Sequence, residues 1–176
     1  MKASFTLLAA TDLLLLGVTL ILGLAASGSG EPARAGLLER HTLLGLAALL
    51  FTCFVHVIAF TYLVVFSRMA QEAVRDAGMD ADGYAAVTDL KRRMGRWMAM
   101  GVFITLLTGA TGSLVTGGWR LDPIWHMAVA MIGWLANAVA FVVERGLIGD
   151  NVRLTERLYA ALTPAAPHPT RPPDVG

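Results

Sequence analysis

Four long apolar stretches, Phe5–Ala26, Thr42–Phe66, Trp97–Val115 and Ile124–Val143, decide what this chain can fold into. Each runs about 19 to 25 residues, the length at which a helix rising 1.5 Å per residue crosses roughly 30 Å of hydrocarbon. The stretches are continuous rather than alternating in polarity, which excludes a closed transmembrane barrel. Only 15% of the residues are charged, against about a quarter in a soluble domain, so a normal polar surface is missing. The expectation is an all-α, integral membrane, up-and-down four-helix bundle. It forms a single four-span domain over residues 1–162, with a loop at 68–95 and a Pro-rich tail at 163–176. The first stretch follows Lys2 like a secretory signal, but it exceeds the ~7–15 residues of a signal core and contains Asp12, so it reads as a span.

Lys and Arg set the expected orientation. The face bearing both termini takes Lys2, Arg68, Arg75, Lys91, Arg92, Arg93, Arg96, Arg145, Arg153, Arg157 and Arg171; Arg34, Arg40 and Arg120 fall on the other. That split of eleven to three places the termini and the 68–95 loop in the cytoplasm, in an inner-membrane protein with both ends inside. The basic residues flank spans and are mixed with acids, which suits anionic headgroups and argues against nucleic acid. Within the loop, helix is expected at both ends with a break near Gly78 and Gly83. Asp122 and Pro123 have the chemistry of a helix cap and first turn, and therefore open span 4.

Helical periodicity isolates the polar positions. In span 2, His41, Gly45, Ala48, Thr52, His56 and Ala59 share one face. In span 4 the shared face holds His126, Ala130, Gly133, Asn137 and Glu144, and in span 3 Gly101, Thr105, Thr108 and Gly112. Small residues let membrane helices pack closely, and Thr or Asn can hydrogen-bond across the contact. Histidine is different: ionisable groups inside a membrane are costly, turn toward the bundle interior and mark sites. Spans 2 and 4 both run inward from the non-cytoplasmic side and should be parallel and diagonal, which puts His41 and His126 at one depth. Small residues follow each histidine by four and seven positions and leave a slot beside the imidazole. Met94, at the start of span 3, reads as a packing residue.

With His41, His56 and His126 on stripes that also carry Gly45 and Gly133, the chain resembles four-helix membrane b-type cytochromes as an architectural class, over Thr42 to Val143. In many such proteins two histidines ~13–14 residues apart on one helix ligate two haems. The resemblance implies haem b held by His41 and His126, with Gly45 and Gly133 giving clearance. It makes His56 a candidate ligand for a second haem, although His41 and His56 are 15 residues apart and span 4 lacks a histidine near Phe141. The implied role is electron transfer rather than stand-alone enzyme chemistry, with quinone or a periplasmic redox protein as partner.

Mid-span His56 also needs a polar neighbour. Asp12 is expected at nearly the same depth, within roughly 3 Å of rise, and Asn137 is a second candidate. An Asp12–His56 pair could be structural, orient a ligand or relay protons. Two other functions compete with the cytochrome: a non-redox accessory or anchor subunit of a larger complex or homo-oligomer, and a proton- or metal-coupled transporter using Asp12 and His56. Unbroken spans without paired repeats weigh against the transporter.

Overall fold

A computed structural model of the chain describes residues 2–76, 81–117 and 121–162. It is all-helical: α1 (Lys2–Ser27), α2 (Ala33–Asp76), α3 (Ala81–Thr116) and α4 (Pro123–Leu162). All four are long and apolar enough to cross a membrane. The start of α4 follows from its sequence: the Ile124 amide donates to Asp122 Oδ1 at 3.0 Å, and Pro123 takes the first position, where no amide donor is needed.

Three helices outrun their apolar stretches. α2 has 44 residues, α3 has 36 and α4 has 40, whereas about 20 suffice for a bilayer. In α3 and α4 the excess lies at the end bearing the termini, where α2 also extends and Ala70 and Val87 pack with Leu154. α3 begins at Ala81, so Gly83 lies inside the helix and does not break it. Gly78 and the tail from residue 163 fall outside the described residues.

Around the bundle, α1 packs on α2, α2 on α3, α3 on α4 and α4 on α1. α2 and α4 also touch across the centre, while α1 and α3 do not meet among the described residues. α2 and α4 are therefore the short diagonal, as the up-and-down connectivity predicts. Their relative register is fixed by two ring contacts. His126 follows His41 by 85 residues and Phe141 follows His56 by the same 85, and each pair is in contact.

The interior has three zones along that diagonal. At the end bearing the termini lies an apolar core that includes Phe5, Val55, Leu63, Met94, Leu147 and Ile148; Met94 packs, as expected of a flexible thioether. A polar middle zone contains Asp12, Thr52, His56, Thr105, Asn137 and Glu144. The far end holds His41 and His126 among small residues. Leu14, Phe103, Ile132 and Val142 point outward, the inverse of a soluble protein. In hydrocarbon such residues gain nothing by turning inward, so close packing and hydrogen bonds hold the helices together. Trp134 supplies one of those bonds, donating from Nε1 to the Leu13 carbonyl of α1 at 3.0 Å.

Candidate functional site

The two histidines expected at one depth do meet. His41 on α2 and His126 on α4 have ring centroids 6.0 Å apart and ring planes inclined at 77°. Each Nδ1 is tied to the protein. His41 Nδ1 lies 2.9 Å from the Thr19 carbonyl of α1, which can only accept, so this nitrogen carries the proton. His126 Nδ1 lies 3.1 Å from Thr111 Oγ1 of α3, whose own hydroxyl donates to the Thr108 carbonyl at 3.0 Å. The hydroxyl proton being used, Thr111 Oγ1 accepts and His126 Nδ1 also carries the proton. Both rings thereby adopt the tautomer whose Nε2 keeps its lone pair, the form that binds metals.

Glycines allow these rings to sit as they do. A Cβ on Gly23 would stand 3.0 Å from His41 Cε1, and one on Gly112 would stand 3.0 Å from His126 Cε1. Gly45 and Gly133 serve elsewhere. Gly45 faces the Thr19 methyl and Gly133 faces Thr108 Oγ1, so each lets two helices approach rather than making room beside an imidazole.

The middle zone is a separate constellation, and Asp12, His56 and Glu144 are each 0% exposed. His56 Nε2 lies 2.9 Å from Asn137 Oδ1. The Asn137 amide nitrogen donates to Thr105 Oγ1 at 3.0 Å and to the Gly133 carbonyl at 2.8 Å. Those bonds fix the amide, so Oδ1 accepts and His56 Nε2 is the donor. His56 Nδ1 stands 2.7 Å from Glu144 Oε1, and the ring stacks on Phe141 with centroids 4.7 Å apart. α3 closes over it at Gly101, whose absent Cβ would overlap the ring. Both ring nitrogens of His56, the candidate ligand of a second haem, are hydrogen-bonded within the protein here.

Asp12 and His56 make no direct hydrogen bond: α1 sets Asp12 opposite Thr52, a full turn from His56. Thr52, one turn before His56, intercepts Asp12: its Oγ1 lies 2.9 and 3.0 Å from the carboxylate oxygens. Asp12 and His56 remain close enough for their charges to interact. Asn137, the other expected partner, is in place. Glu144 escaped notice as a site residue because Glu144-Arg145 reads as the wet end of span 4; its one signal was its place on the His126–Asn137 face. No cluster of three His, Cys, Asp or Glu side chains arranged for a metal ion occurs among the described residues. Compared with protein-family models, curated proteins and solved structures, the chain has no match, so its reading rests on these residues alone.

Proposed function

We propose that the chain is a four-span b-type cytochrome of the inner membrane, with one haem held by His41 and His126 near the end opposite the termini. One observation carries the reading: two imidazoles from diagonal helices meet edge to face with each Nδ1 proton committed to a protein oxygen. The ring centroids lie 6.0 Å apart, and these two side chains would hold the haem through their Nε2 atoms. Bound there, haem supplies one-electron chemistry to quinone or to a periplasmic redox protein. The protein fixes the tautomers and, through Gly23 and Gly112, the positions of the rings. The distribution of Lys and Arg supports cytoplasmic termini, which would put the haem toward the periplasm.

Absorption spectroscopy of the purified chain tests this. A Soret band that shifts on dithionite reduction is expected, lost in His41→Ala and in His126→Ala and kept in His168→Ala. His56→Ala should keep one haem per chain wherever the variant folds. A colourless, metal-free protein would point instead to an accessory or anchor subunit.

A further inference from the structure

Three titratable side chains are buried in the bundle around His56, which bonds Glu144 directly and lies one turn from the Thr52 that holds Asp12. α1 contributes Asp12, α2 contributes His56, and α4 contributes Glu144. Half-buried Cys53 lies beside Asp12. Among the described residues α3 contributes no charge here, only Gly101 and Thr105. Arg145, next to Glu144, turns outward and donates from Nε to Thr6 Oγ1 at 3.0 Å. Among the described residues, no buried cation other than His56 balances the two carboxyls.

Charge counting then constrains the protons. An uncompensated charge in hydrocarbon is expensive, so the three groups together should be neutral. With both carboxyls ionised, even an imidazolium leaves them at minus one. Neutrality with His56 charged requires one proton on Asp12 or Glu144. Each acid is built to hold it. Thr52 Oγ1 lies 2.9 Å from the Ala48 carbonyl as well as beside Asp12, so its proton can go to either and its oxygen can accept from a protonated Asp12. Glu144 Oε1 faces His56 while Oε2, fully buried, has no hydrogen-bond partner among the described residues. Buried polar atoms rarely stay unpaired, and an unpartnered carboxyl oxygen is a place for a proton or a water.

We infer that Asp12, His56 and Glu144 form a proton-binding centre in which the two carboxyls share one exchangeable proton, reached from the end of the bundle that bears the termini. The route would follow the α2–α4 contact past Leu63, Leu147 and Ile148 of the apolar core. Buried Ser67, whose Oγ also lacks a partner, has its counterpart in the 85-residue register beside buried Asn151. Both lie between Glu144 and that end.

The centre does not depend on haem and can be tested on the full chain in phosphatidylcholine vesicles, whatever its colour. At about pH 7 exposed carboxyls are ionised, so an infrared carbonyl band that downshifts in D2O reports a buried carboxylic acid. Wild type should show one such band. Asp12→Asn should abolish it, because Glu144 then balances His56 alone; Glu144→Gln should abolish it equally, leaving Asp12 to do so. Two independent acids would lose the band in one variant only. That result, no band in wild type, or a band surviving both substitutions overturns the shared proton. If one variant fails to fold, the other decides: loss supports the centre and persistence refutes it. Ser67→Val should slow the D2O shift at least several-fold, and an unchanged rate refutes the route.

Discussion

Glu144 Oε1 lies 2.7 Å from His56 Nδ1, and neither side chain reaches the surface. Because His56 Nε2 is committed to Asn137, the proton between Nδ1 and Oε1 is common to both partners, and removing either leaves the other buried and unpaired. Such losses cost about 3–5 kcal/mol for a fully buried ion pair. Thr52→Val removes one hydroxyl from Asp12, a change of about 1–2 kcal/mol in a membrane bundle. Glu144→Ala should therefore destabilise the bundle more than Thr52→Val. Thermal unfolding in detergent, followed by helical circular dichroism, checks the order.

A second prediction separates glycines that packing requires from those it does not. A methyl group on Gly101 would overlap the His56 ring, which its bonds to Asn137 and Glu144 hold in place. Gly101→Ala should cost about 1–3 kcal/mol through overpacking. Gly146, in α4, meets nothing within 4 Å of its would-be Cβ, so Gly146→Ala should be neutral or stabilising by up to about 1 kcal/mol. The same unfolding assay measures both.

What could be read before the structure, and what could not, follows from the kind of information periodicity carries. It gives depth and face, and these located the His41–His126 pair because parallel diagonal helices keep one register over their length. It does not say which neighbour fills a given gap, so Gly45 and Gly133 were on the right stripes but against Thr19 and Thr108. Nor does it resolve competition within one turn, where Thr52 reaches Asp12 before His56 does. Glu144 was hidden by a boundary. The apolar stretch stops at Val143, but α4 continues to Leu162 against the extended α2 and α3, and that continuation buries a carboxyl that hydropathy places in water.

The proposed orientation rests on the basic residues. Cysteines placed singly at positions 83 and 117, with Cys53→Ser as background, should react differently with an impermeant maleimide added to intact cells. Gly117→Cys should be labelled and Gly83→Cys should be labelled only after the membrane is opened. The reverse pattern would invert the topology and move the histidine pair to the cytoplasmic side.

The last prediction concerns the residue that holds His126. Thr111 Oγ1 accepts the His126 Nδ1 proton at 3.1 Å while donating to the Thr108 carbonyl. Valine at this position keeps the volume and removes the acceptor. Without it, only the Thr108 carbonyl still favours the Nδ1–H tautomer, and the lone pair leaves Nε2 in part of the population. Losing such an outer partner typically costs 10–100-fold in metal affinity. On the proposed haem reading, Thr111→Val should lose haem to an apo-globin acceptor faster than wild type, with helical content unchanged. His41 answers to a backbone carbonyl that no substitution deletes, so Thr19→Val should leave the rate near that of wild type. Equal loss from the two variants would mean that packing, and not the tautomer, governs retention.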